Sequence, residues 1–429
     1  MKNKLRVVVT GMGIMTPIGH TLSDYFSNLI AGRSGVSHWK NLDTSAIRCK
    51  IGGDLSGFDC EGYMRDYLMP RMPESAYVKL ETILKTAPFA TRLTVLTVAQ
   101  AYIDSDLFEA DVDSTRIGAI LGGHNFNSNY IYDNFKRFQM EPEQIHKLMG
   151  IHVYDTDLIT SAAEVCGIHG PVYSIGGTCT SSTTSMMHAL REIRSSNTDV
   201  VVVAGGLLDY SPLDLQALIL VNAISYRSFN EAPTKASRPY DTKREGFVPS
   251  HGSGVLIFES LEHARKRDAE IYAEILDVDC NSDGNHLSNP FSGGQSRVMQ
   301  NVLRKADIVP EQIDYINAHA TSTPLGDVVE IESIKNVFGR HAEKLRINGS
   351  KSMLGHPGWS AGAVESVAAI LQMRHNRLHP TINVDEQDPR VDLNVCANRP
   401  QDWEVNYVMK NSFGFGGLNA CAIFKRYAE

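Results

Sequence analysis

Residues 170–197 read GPVYSIGGTCTSSTTSMMHALREIRSSN. Apolar residues open the stretch, two glycines lead to Cys179, and a run of small hydroxyl residues passes into a segment of helical periodicity. A strand–loop–helix unit of this kind puts a reactive group at a strand end, where α/β folds assemble their sites. A lone cysteine is more commonly a small buried hydrophobe. Here two glycines let the backbone turn sharply, and the hydroxyl residues suit a helix N-terminus. Helix-end N–H groups would lower the thiol pKa and hold an oxyanion. By itself the stretch leaves both readings open, core filler and nucleophile.

Similar units recur outward from it. Short β-branched runs bounded by glycine include LRVVVTGMG, RIGAILGG and DVVVVAGG, then IYAEILDVD, IDYINAHA, LRINGS and YVMKNSFGFGG. Between them, FATRLTVLTVAQAYIDSDL and GAVESVAAILQMRHNRL carry helical periodicity. The alternation predicts an α/β fold whose sheets are buried under helices. NGSKSMLGHPGWSAGAVES repeats the outline of YSIGGTCTSS later in the chain. The charged stretch ESLEHARKRDAEI, 259–271, separates them, which divides the chain into halves 1–260 and 261–429 by an expected duplication. Within that stretch HARKRD, 263–268, reads as a solvated helix face. TGMGIMTPIG lacks the third glycine of a dinucleotide fingerprint and is interrupted by Pro17, so its glycines read as a tight turn.

The 429 residues are 42% hydrophobic with a net charge of -8, which fits a globular chain and argues against nucleic acid as partner. An acidic protein could still dock on a local basic patch. The seven cysteines are scattered without C-x-x-C spacing, so neither a metal site nor a disulfide framework is expected, and a reducing cytoplasm is. No apolar run is long enough to span a membrane, and the N-terminal residues make a poor signal peptide.

Two of the fifteen histidines stand in unusual contexts. His319 follows an apolar run in IDYINAHATSTPLGD. His356 follows a glycine in GSKSMLGHPGWSAGAVES, with Lys351 before it and Glu365 after it. A cysteine and two histidines, each at a strand end, suggest acyl or carbon–carbon bond chemistry on a thioester.

From RVVVTGMGIMTPIG through GPVYSIGGTCTSS, RPYDTKREGF, INAHATSTPLGD and SKSMLGHPGWSAGAVES to NSFGFGGLNA, the chain resembles the β-ketoacyl-acyl carrier protein synthases of the elongating, ketosynthase II type, within the thiolase superfamily. The resemblance implies a thiolase-like, duplicated five-layered α/β/α/β/α fold, and a homodimer or a heterodimer with a related ketosynthase-like chain. It implies decarboxylative Claisen condensation of malonyl-acyl carrier protein with an acyl chain held on Cys179, His319 and His356 completing the triad. No cofactor is implied beyond the phosphopantetheine of the carrier protein. Lys351 and Glu365 match a charged pair behind the histidines, Thr321 and Thr323 match residues that bind the phosphopantetheine arm, and Arg227, with Lys235 nearby, matches a carrier-docking residue. The backbone N–H groups of Cys179 and Phe413 match the oxyanion hole, and Phe413 also matches a gating phenylalanine.

The chain departs from the family pattern at Ala320, where the family has glycine after the histidine, at the bulky Trp359, and at His251, where glutamate is common. The polar and aromatic GGHNFNSNYIYDNF, 122–135, lies where the family lines its acyl pocket. It points to a type II polyketide, polyene or otherwise modified chain rather than housekeeping fatty acids. Within the fold the alternatives are a decarboxylase-only or partner-subunit relative and, less favoured, a degradative thiolase.

Overall fold

The computed structural model describes residues 4–284 and 289–428. The apolar runs become ten strands of one sheet: β1 (Val7–Met15), β2 (Ile117–Gly122), β3 (Val172–Ile175), β4 (Val200–Gly205), β5 (Ser253–Ser260), β6 (Ala273–Ser282), β7 (Tyr315–Asn317), β8 (Arg346–Asn348), β9 (Tyr407–Gly414) and β10 (Leu418–Lys425). Their spatial order is β8-β7-β9-β10-β6-β1-β5-β4-β2-β3. Counted from the centre, each half runs first, fifth, fourth, second, third. In each, the two inner pairings are antiparallel and the two outer ones parallel. The halves meet where Val7–Val9 of β1 pairs antiparallel with Ala273–Ile275 of β6.

Side chains that alternate along these strands supply two different cores. Val201, Val203, Leu256, Phe258, Ala422 and Phe424 point to a central cluster. Their neighbours Val200, Val202, Val255 and Ile257 face an outer cluster of the first half, and Cys421 and Ile423 one of the second. Helix α1 (Phe89–Asp104) covers the outer face of β1 and β5. Helix α2 (Ser181–Arg194) packs between β4 and β6, and α5 (Ala361–His375) between β5 and β9. Helices α3 (Ser292–Ala306) and α4 (Gly326–Phe338) pack together, with α3 on β6 and β10. The result is five layers, with α2 and α5 sandwiched between the two half-sheets. Residues 361–373 of α5 are all buried, as expected of a helix enclosed on every side.

Close approach of α2 and α5 depends on small residues. A side chain at Gly362 would overlap Thr183 Oγ1. Ser182 Oγ accepts a hydrogen bond from Ala363 N–H at 3.0 Å, and Thr183 Oγ1 lies 2.8 Å from Ser412 Oγ on β9. The hydroxyl run therefore stitches the halves together besides starting a helix.

Two expectations change. Gly11 and Gly13 lie inside β1, not in a turn, and a side chain at Gly13 would overlap Thr97 O on α1. The turn follows at Thr16–Gly19. HARKRD is only partly a solvated face. His263 and Arg267 close on the buried Glu259, at 2.5 and 2.8 Å, which also accepts from Thr10 Oγ1.

Candidate active site

The loops after β3, β7 and β8 converge on one tunnel of about 360 Å³. Cys179 occupies a single 3-10 turn, Thr178–Thr180, that runs directly into α2. The sharp backbone turn is made by Thr178, at φ 49°, while Gly177 is extended at φ -175°. The glycines serve close approach instead: a side chain at Gly176 would come to 3.1 Å from His124 and one at Gly177 to 3.1 Å from Thr180. Thr178 Oγ1 donates to Phe415 O at 3.0 Å, which fastens the Cys179 turn to the end of β9.

Cys179 keeps partial exposure to the tunnel, yet protein surrounds it on its other sides. Burial pushes the thiol up to about 11, against the opposing pull of Lys351 and of the backbone N–H groups of Phe415 and Cys179. The thiolate expected at this helix start is therefore opposed: desolvation is the largest influence on the thiol and outweighs the pull of Lys351 and the nearby N–H groups, although the turn continues into α2. The amide turned to the sulfur is that of Phe415, two residues beyond Phe413. Phe413 lies in β9 opposite Asn419, with its ring buried 6.0 Å from that of His319. Phe415 is 42% exposed and faces Phe247 across the tunnel.

His319 ends the β7 loop. Its N–H and that of Ala320 donate to the two oxygens of buried Glu330, both at 2.9 Å. Lys351 Nζ donates to His319 O at 2.6 Å and lies 3.4 Å from His319 Nδ1. A lysine ammonium only donates, so Nδ1 is the acceptor and the ring proton sits on Nε2. His356 follows the same logic: Gly358 N–H donates to its Nδ1 at 3.2 Å, leaving the buried Nε2 without a partner. The rings stand 5.4 Å apart at 86°. Burial first, then Lys351, holds both imidazoles well below the usual histidine range, so both are neutral. Cys179, His319 and His356 each bring one donor atom within 4.8 Å of the others, the only such set among the described residues. Two buried ammoniums behind the histidines oppose a dication there.

Lys351 pairs with Glu365 at 2.5 Å, and both are fully buried. Sequence reasoning missed Lys410, which is wholly buried on β9 and lies 2.7 Å from the other oxygen of Glu365. It also missed Glu330. The signal for Lys410 was a charged residue inside a strand buried on both faces, since such a lysine must be paired.

Thr321 and Thr323 line the tunnel, their hydroxyls 3.1 Å apart, and Thr323 Oγ1 also caps the loop by accepting from Gly326 N–H. Ala320 takes φ 41°, the left-handed region that favours glycine, and its methyl fits because position 349 is glycine. Trp359 stacks on His124 at 4.5 Å and 23°, and its buried Nε1 has no partner. Much of the polarity of 122–135 is absorbed locally: Asn127 bonds His152 O, and Asn134 bonds Tyr130 O and His146 N–H. His251 sits apart from the triad. It accepts from Leu55 N–H, faces Asp54 at 3.5 Å and is walled by Trp39 and Phe89. Arg227 bonds Asn222 Oδ1, on the tunnel rim, and shares a surface cavity with Arg48 and Lys50, which sequence reasoning did not name. Lys235 is exposed on a separate 3-10 turn, outside that cavity.

The β-ketoacyl synthase N-terminal domain matches residues 4–264, and the C-terminal domain matches residues 272–385. The chain is 35% identical over 430 residues to 3-oxoacyl-[acyl-carrier-protein] synthase 2 of Coxiella burnetii, covering 99% of each. It is 35% identical over 433 residues to the chloroplastic 3-oxoacyl-[acyl-carrier-protein] synthase II of Arabidopsis thaliana, covering 98% of this chain and 76% of that one. Among solved structures it is similar to a type II polyketide synthase acyl carrier protein in complex with its ketosynthase bound to the hexaketide, with TM-score 0.86, 27% identity and 99% and 100% coverage. It is also similar to the ishigamide ketosynthase/chain length factor, with TM-score 0.87, 27% identity and the same coverage.

Proposed function

The chain belongs to the β-ketoacyl synthase family and is an acyl-transferring condensing enzyme, and we propose that Cys179, His319 and His356 carry out its decarboxylative condensation. The observation that carries the reading is the pair of neutral imidazoles with protonated Nε2 atoms grouped around the Cys179 sulfur.

In the first half-reaction Cys179 Sγ attacks an acyl thioester. The amides of Cys179 and Phe415 hold the oxyanion, and the thiol proton ends on the departing phosphopantetheine thiol. In the second, the malonyl thioester loses carbon dioxide, and the electron pair of the broken C–C bond moves into the thioester carbonyl. The two Nε2–H donors stabilise the enolate oxygen in a largely dry site. The carbanion then attacks the acyl carbon, Cys179 leaves as thiolate and is reprotonated, and a β-ketoacyl thioester departs. Thr321 and Thr323 hold the phosphopantetheine arm along the tunnel.

The partner is an acyl carrier protein, and Arg48, Lys50 and Arg227 beside the tunnel rim support docking of its acidic surface. Lys235 contributes at most long-range charge. The similarity to a type II polyketide ketosynthase bound to a hexaketide supports an acyl chain of the polyketide or polyene kind, while His124 and Trp359 stack outside the residues that line the tunnel. Phe135, Phe138, Met140, Leu213 and Leu220 are exposed apolar side chains that support a dimer, with an identical or related chain. Seven unpaired cysteines support a cytoplasmic setting. No described helix is long and apolar enough to cross a membrane.

Incubation with acyl-carrier and malonyl-carrier protein, read by intact mass and carbon dioxide release, tests the reading. An acyl adduct on Cys179 together with a β-keto product is expected. Carbon dioxide without an adduct would reassign the chain as a decarboxylase, and neither product would overturn catalysis altogether.

A further inference from the structure

Lys410 is the feature that the mechanism above does not use. Its ammonium is fully buried on β9 and has three oxygen neighbours, two as hydrogen-bond acceptors and one as an ion-pair partner. It donates to Asn411 O at 2.5 Å and Ser412 Oγ at 2.8 Å, and ion-pairs with Glu365 Oε2 at 2.7 Å. The other oxygen of Glu365 binds Lys351, which in turn bonds the carbonyl of His319 and faces its Nδ1. A buried carboxylate with a cation close to each oxygen is held in orientation from both sides, and the lysine that bonds it is held with it. Removing Lys410 leaves a buried carboxylate facing one cation instead of two, which loosens the chain that aims the His319 ring.

We propose that Lys410 is a positioning residue for the decarboxylation step: through Glu365 and Lys351 it fixes the ring orientation and the protonated nitrogen of His319. The inference rests on the condensing reading above. It also carries an electrostatic consequence. His319 and His356 face Lys351, Lys410 and each other, Cys179 lies beside them, and Glu330 accepts from the His319 backbone. Lys410 itself faces Glu365, Lys351, Glu330 and the Cys421 thiol. Around the carboxylates stand the neutral Tyr25, Tyr240, Tyr315 and His379. Of these groups only Lys351 and Lys410 hold positive charge near the imidazoles, so deleting one lets the histidines bind protons at higher pH.

The test compares the full-length wild type with Lys410→Met and Lys410→Ser. Acyl adduct formation on Cys179 is measured separately from malonyl decarboxylation, and both are followed against pH. Adduct formation is expected to persist. Decarboxylation is expected to fall about tenfold to a hundredfold, with its acid limb displaced to higher pH. Lys410→Ser vacates the ammonium site, so ammonium chloride should restore its rate where choline chloride at equal ionic strength does not. A folded Lys410→Met variant with wild-type decarboxylation and an unmoved acid limb overturns the proposal. Should Lys410→Met fail to fold, an ammonium-insensitive Lys410→Ser variant with an unmoved acid limb overturns it equally. Loss of adduct and carbon dioxide in the wild type would strike the condensing reading instead, independently of Lys410.

Discussion

The second strand of each half is followed two residues on by a histidine: β2 leads to His124 and β7 to His319. Both occupy the same place in a repeated strand order, yet their surroundings differ. His319 is braced by a glutamate on its backbone and a lysine on its ring. His124 is half-buried and held flat against Trp359, with Asp155 as the nearby charge. The third strands diverge in the same way: β3 leads to Cys179 and β8 to Lys351 and His356. A duplicated scaffold supplies equivalent strand ends, and the groups packed behind each end differ: one histidine is braced toward the tunnel and the other is stacked on an indole.

Substitutions at those ends break or sharpen the contrast. Cys179→Ala should cost at least about a thousandfold in condensation while sparing malonyl decarboxylation, read by product mass and carbon dioxide release. His319→Ala should lower decarboxylation by about a hundredfold or more. His124→Ala should leave that step nearly intact and change which acyl chains load. Equal losses from the two histidine variants would erase the distinction. On the stability side, Gly362→Ala forces a methyl against Thr183 and should destabilise by about 1–3 kcal/mol in thermal or denaturant unfolding. Alkylation of Cys179 in the free enzyme should keep rising with pH toward about 11, because the neutral thiol must lose its proton first. A plateau below pH 8 would restore the helix-start thiolate. The smallest effect belongs to Ala320→Gly. It relieves a left-handed alanine but adds freedom to the unfolded chain, so stability should stay within about 1 kcal/mol.

The strands, the central helices and the three side chains that meet in the tunnel could be read from the chain because each follows a short-range rule: buried apolar runs, periodicity, a polar residue at a strand end. What escaped reading depends on contacts far apart in sequence. Lys410 and Glu365 are separated by 45 positions, and nothing near either one names the other. The exchange of Phe413 for Phe415 is a matter of which amide a strand end turns toward the sulfur. The thiol's neutrality follows from burial, which three-dimensional packing decides. Trp359 and His251 could be singled out as unusual, but only the folded chain shows that one stacks on His124 and the other belongs to a separate pocket.

The seam between β1 and β6 governs the order in which the molecule can be completed during synthesis. Residues Val7–Val9 are made before both of their neighbours: one edge is closed by β5 and the other by Ala273–Ile275 of β6. Helix α2, with Cys179 in the turn before it, waits longer still for α5. Until Ala273–Ile275 are made the first half therefore exposes one strand edge, and until residues 361–375 are made one side of its central layer, surfaces that attract chaperones and aggregate when unprotected.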